Sequence, residues 1–119
     1  MEYNVYFENK HGGHNILGLF EEDLDRVVEA YKNGEIEFFI GGTKHRFGNL
    51  KRIRIITYEK AEYDAFEFAD RCVKAGKANR RGFGKYYLTP RVLKLAGKDK
   101  TKKFVGNLSF GEAIKDKSN

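Results

Sequence analysis

Within Glu35 to Glu59, apolar side chains fall at every second position over 36–40 and again from Ile53 to Ile55, the period of a β-strand. Ile36, Phe38 and Ile40 share one face of a first strand, and Ile53, Ile55 and Thr57 are placed to meet them from a second, with Gly41-Gly42 marking the turn region. The pattern predicts a β-hairpin on which the rest of the chain is organised. Phe39, Phe47, Ile56 and Tyr58 fall on the opposite phase, so the sheet is expected to be covered on one side and partly on the other. Upstream, Tyr3, Val5 and Phe7 alternate as a first strand, the run 10–14 breaks it, and Ile16, Leu17, Leu19 and Phe20 read as a short second strand, the alternative being the apolar entry to a helix. From Glu21 to Asn33, Leu24, Val27, Val28 and Tyr31 recur with helical period; three acids sit at the positive helix end and Asn33-Gly34 closes it. Ala61 to Ala75 predicts a second helix, with Ala61, Ala65, Phe68, Ala69 and Cys72 on one stripe and Gly76 ending it.

Past Gly76 runs a basic, glycine-containing connection, then a last short strand over residues 85–88 and a helix opened by Thr89-Pro90, where threonine caps and proline fits the first turn. Another short turn is expected over 100–105. These elements predict one α+β domain over residues 1–105, an antiparallel sheet centred on the hairpin with two main helices packed against it, in a ferredoxin-like order. Residues 106–119 are expected to form a mobile tail, although Leu108, Phe110 and Ile114 are able to dock.

At 119 residues the chain suffices for a single core. It contains no run near the ~20 apolar residues that span a bilayer, and its start does not read as a signal peptide, so a soluble, cytoplasmic protein is expected, with no membrane partner. The one cysteine, Cys72, makes no internal disulfide or thiolate zinc cluster and reads as a small buried helix residue.

The net charge of +6 matters less than its distribution. Residues 1–33 carry 3 basic and 7 acidic side chains, whereas residues 74–103 carry 11 basic against 1 acidic. Within that segment Lys77, Arg80, Arg81, Lys85, Arg91 and Lys94 surround a glycine-containing loop, and Tyr86 and Tyr87 lie among them. Cations for phosphates beside rings for bases point to nucleic acid, DNA or RNA, as the partner. The bland alternative is a lysine-rich outer face with the aromatics buried beneath it. Arg81-Gly82-Phe83-Gly84 copies the opening of the RNP1 element of RNA-recognition motifs, but Lys85 stands where an aromatic belongs, and the stretch follows the second helix instead of lying on a central strand.

Other motifs carry less. His11, His14 and His45 are the only histidines, too few for a zinc site without cysteines. Gly41-Gly42-Thr43-Lys44 lacks the spacing of a phosphate loop and reads as a turn. Glu35 and Glu37 share a strand face with no histidine or metal cluster committed to them. The reading is therefore a binding module without a cofactor or catalytic residues. Its alternatives are a Mg²⁺-dependent nuclease built from scattered acids, and a protein-interaction adaptor whose acidic first third and basic segment address different protein surfaces.

Tyr31-Lys32-Asn33-Gly34, then Phe38-Phe39-Ile40-Gly41-Gly42, Lys51-Arg52-Ile53-Arg54-Ile55 and the run from Gly97 to Phe104 together resemble a small accessory domain found at the N-terminus of some bacterial abortive-infection and antiphage effectors. The resemblance covers residues 31–105. It departs in the irregular linker through Thr43, Lys44 and His45, and no effector segment follows in this sequence. It implies a regulatory or sensing module whose partner performs any chemistry.

Overall fold

The computed structural model describes residues 1–80, 82 and 85–117. The chain runs β1 (Glu2–Asn9), β2 (Gly12–Leu19), α1 (Glu21–Lys32), β3 (Glu37–Ile40), β4 (Thr43–Arg46), β5 (Leu50–Tyr58), α2 (Ala65–Lys74), β6 (Asn79–Arg80), β7 (Tyr86–Tyr87), α3 (Pro90–Leu93), α4 (Thr101–Val105) and α5 (Phe110–Lys117). It is an α+β fold on an antiparallel three-stranded sheet of order β2-β1-β5.

The expected pairing of residues 36–40 with 53–57 does not form. Instead β3 turns back on β4, with Phe38 opposite His45 and Ile40 opposite Thr43. Gly41 and Gly42 both have positive φ, +54° and +82°, the backbone required at both central positions of the tight turn favoured in two-residue hairpins. So short a turn leaves only residues 43–46 within reach of β3. Strand β5 pairs with β1, Val5 opposite Ile55 and Phe7 opposite Ile53, because β1 offers it a longer apolar partner. The chain also departs from a ferredoxin-like order, since β1 and β2 are joined directly, with no helix between them.

Both faces of the sheet are covered. Tyr3, Val5, Phe7, Ile53 and Ile55 pack beneath α1, the β3-β4 ribbon and α5. Leu17, Ile56 and Tyr58 pack beneath α2, with Tyr86, Leu88 and Leu93. Leu17 and Leu19, two residues apart, reach opposite faces because the register between β1 and β2 shifts between Tyr3 and Val5. Gly18 takes φ +66° at that irregularity, and its N–H donates to the Asn4 side-chain oxygen at 3.0 Å.

Two predicted boundaries move. Helix α2 begins at Ala65, not Ala61, because Asp64 caps it, accepting from the Glu67 N–H at 2.8 Å. Residues 106–119 are not the expected tail throughout: α5 places Phe110, 1 % exposed, in the first core, where its ring lies 4.9 Å from Phe47 and 5.6 Å from Tyr31. Cys72 is buried in the second core, as the helix stripe predicts, and burial pushes its thiol pKa up.

Residues 96–100 line the outer edge of β5. Thr57 N–H donates to the Lys98 carbonyl, Glu59 N–H to that of Ala96, and Lys100 N–H to that of Ile55. This approach needs Gly97: a Cβ there would sit 1.6 Å from the Thr57 carbonyl oxygen, which is backbone and unable to swing aside. Gly97→Ala is expected to destabilise the fold by about 3 kcal/mol, the upper range for overpacking. Urea unfolding checks this, and a midpoint equal to that of the parent protein would contradict it.

Burial holds two phenols protonated. It pushes the Tyr31 and Tyr58 pKa values up to about 12, with Tyr63 and Asp64 adding to the effect at Tyr58. The Tyr31 hydroxyl donates to the Leu108 carbonyl, and that of Tyr58 to the carbonyls of Tyr63 and Asp64. A folded pKa above the unfolded value of about 10 means stability is fully present below pH ~10 and lost as pH rises through ~12. Urea midpoints measured across that window should fall, and Tyr31→Phe should fall less steeply than the parent.

Candidate nucleic-acid interface

The eight residues singled out in the basic segment do not form one site. Tyr86 is 3 % exposed in the second core, so its ring is not presented for stacking on a base. Its hydroxyl donates to Asp70 at 2.8 Å. The Arg80 guanidinium lies 5.2 Å from the Tyr86 ring centre and 3.6 Å from the same Asp70 carboxylate. Arg80, Tyr86 and Asp70 therefore clasp the β6-β7 ribbon to α2. Arg81 lies outside the described residues, as do Phe83 and Gly84 of the RNP1-like stretch.

Lys77, Lys85, Arg91 and Lys94 are exposed, together with Lys74, Lys98, Lys100, Lys102 and Lys103. Elsewhere six cations are paired, Arg26 with Glu22, Arg52 with Glu8, Arg54 with Asp99, Arg71 with Glu67, and both Lys44 and Arg46 with Glu37, while Lys10, Lys32, Lys51, Lys60 and Lys115 form no ion pair among the described residues. Among the described residues of the 74–103 segment, only Arg80 joins an ion pair with a cation of its own. Asp99, the one acid of the segment, is held by Arg54 and by the Thr101 N–H, so it does not offset the surrounding lysines by direct pairing.

Four of the exposed cations, Lys77, Lys85, Lys94 and Lys98, line two hollows. One is a groove of about 610 Å³ between β2 and β4, lined by His14, Asn15, Lys44, His45, Arg46, Phe66, Lys85 and Tyr87 among others, and, among the described residues, by no carboxylate. It is held on the far side of β2 by Asn15, whose amide donates to the Leu88 carbonyl at 3.1 Å and accepts from the Leu88 N–H at 2.7 Å. Each histidine is seated on a core ring, His14 on Phe7 at 5.0 Å and His45 on Phe38 at 5.3 Å, both nearly parallel. Burial lowers the pKa of His14, with the charges of Lys85 and His45 acting in the same direction; burial lowers that of His45. Both rings are thus predominantly neutral at pH 7.

The other hollow surrounds Leu95, which is 56 % exposed. Lys60, Arg71 and Lys77 line one side with Tyr63 and Phe68, and Lys94 and Lys98 line the other with Glu59. The structure therefore sends Lys85 and Tyr87 to the groove and Lys77 and Lys94 to the Leu95 hollow, and leaves Arg91 exposed on α3.

The sequence reads Lys44 as part of a turn, His45 as part of an irregular linker and His14 as part of a break after the first strand, and assigns Arg46 no role. The legible signal was Thr43-Lys44-His45-Arg46 following two glycines, a short polar strand with cations on alternate positions. Among the described residues no three His, Cys, Asp or Glu side chains converge so as to hold a metal ion. Likewise, among the described residues, no helix is long and apolar enough to cross a membrane.

Fold and surface together define a small α+β domain with a strongly basic segment and, among the described residues, a groove lined by no carboxylate. No protein-family model matches the chain, and no curated protein or solved structure matches it significantly.

Proposed function

We propose that the protein is a non-enzymatic nucleic-acid-binding module, acting in the cytoplasm, that grips phosphate backbone through the exposed cations of residues 74–103 without strong sequence preference. What supports this reading is the density of cations: Lys77, Lys85, Arg91 and Lys94 form no ion pair among the described residues and lie in a segment of 11 basic and 1 acidic side chains, whereas six cations outside it are paired with carboxylates. Uncompensated surface charge is what counterion release on phosphate binding requires. Tyr86 leaves the contact set and Arg80 becomes a positioning residue, whereas Tyr87, half-buried at the groove, remains. The resemblance to antiphage accessory domains adds a regulatory or sensing role in bacterial defence, with chemistry left to a partner.

An anisotropy titration with labelled single- and double-stranded DNA and RNA at low salt tests the proposal. Absence of binding to all four would overturn it in favour of the protein-interaction adaptor. That second reading is favoured by one observation, the exposure of Leu95 among Lys60, Arg71, Lys77, Lys94 and Lys98 with Glu59 beside them, a surface suited to an acidic protein segment with an apolar anchor.

A further inference from the structure

The groove between β2 and β4 has a chemistry of its own. Its volume of about 610 Å³ falls within the range of small-molecule sites. Lys85, Lys44 and Arg46 supply positive charge, Tyr87 a ring, and Asn15 and Thr43 neutral polar groups; among the described residues no carboxylate lines the groove, and Glu37 on the neighbouring β3 pairs with Lys44 and Arg46. Such a lining selects a ligand with an anionic group and a planar apolar one. We propose that this groove is a site for one nucleotide unit, its phosphate held by Lys85 with Lys44 and Arg46 and its base beside Tyr87, and that it binds more tightly as His14 and His45 take up protons. The inference deepens the nucleic-acid reading by assigning a discrete site to one part of the surface.

The proton linkage follows from what faces the two rings. Strand β4 brings Lys44 and Arg46 beside His45, the approach to β7 brings Lys85 and Tyr87, and α2 brings only the uncharged Phe66. Asn9 of β1 places its amide nitrogen 3.4 Å from His14 Nδ1. Glu37 of β3 is engaged by Lys44 and Arg46 at 3.7 and 3.3 Å, so Lys85 is the cation most available to a ligand. In the empty groove protonation is opposed by burial and by neighbouring positive charge. A bound phosphate reverses the second effect. Binding and protonation therefore favour each other, and affinity rises as pH falls below the ordinary histidine value of about 6.5.

A phosphodiester keeps its charge across this range, so a fluorescein-labelled adenylate trinucleotide is the suitable probe, with adenosine monophosphate as competitor. The trinucleotide should bind several-fold more tightly at pH 5.5 than at pH 8, a one-unit rise in pKa on binding giving about tenfold only once the pH lies below both values. Lys85→Ala should weaken it about tenfold. His14→Gln with His45→Gln should abolish the pH dependence, while His11→Gln, on the exposed β1–β2 turn, should preserve it. Thermal melts establish that each variant is folded; should the double histidine variant not fold, Lys85→Ala alone decides.

Displacement by the monophosphate identifies a free nucleotide as the source of the ligand, and its failure identifies a unit within a strand. Trinucleotide binding that is absent, independent of pH or indifferent to Lys85→Ala would overturn the groove site, while salt-sensitive binding of longer strands would leave the proposed function standing. Conversely, trinucleotide binding without tighter binding of long strands would retain the groove and overturn the module.

Discussion

Affinity for duplex DNA is expected to fall roughly 500-fold between about 50 and 200 mM salt, the loss for about five neutralised phosphates at a slope of about 0.9 per contact. The cations available for those contacts are Lys77, Lys85, Arg91, Lys94 and Lys98, all exposed and outside the ion pairs found among the described residues. Replacing Lys77, Arg91 and Lys94 together by alanine should flatten the slope by about three units and weaken all sequences alike. Arg80→Ala should behave differently. Its guanidinium is committed to Asp70 and the Tyr86 ring, so the variant should lose some stability and leave most of the slope intact. Anisotropy titrations at several salt concentrations read both outcomes. A slope unchanged in the triple variant would remove the basic segment from the interface.

Phe110→Ala is expected to destabilise the fold by about 3–5 kcal/mol, the range for deleting a buried aromatic ring. Phe110 lies between Tyr31 and Phe47, and the adjoining backbone accepts the Tyr31 hydroxyl at the Leu108 carbonyl. Gly34, at the end of α1, comes so close to α5 that a Cβ would lie 2.8 Å from the Ala113 carbonyl oxygen. Truncation after Asn107 should therefore cost at least as much as the point variant, because it also leaves the Tyr31 hydroxyl without its acceptor. Urea unfolding measures both. A loss below about 1 kcal/mol for Phe110→Ala would show that α5 is undocked in solution.

The sequence by itself determined the local elements. Leu24, Val27 and Tyr31 mark the buried face of α1, Thr89-Pro90 opens α3, Gly41-Gly42 makes a turn, and the alternating residues of β1 and β5 are strands. Each follows from backbone dihedral preference or from side-chain period, which act over a few residues. The tertiary structure decided partners. Period two assigns a residue to a face of a strand but does not say which strand lies alongside, so β5 reads equally well as a partner of β3 or of β1. Only the longer apolar match with β1 separates them. Phe110 carries no local mark of burial; the Tyr31 and Phe47 rings, themselves in edge contact, supply it. The groove likewise collects His14, Lys44, His45, Arg46 and Lys85 from three separated stretches, because Asn15 fastens the backbone of Leu88 beside β2 and the two-residue turn places β4 opposite. Contacts between residues so far apart in the chain depend on the packing of both cores, and no local preference encodes them.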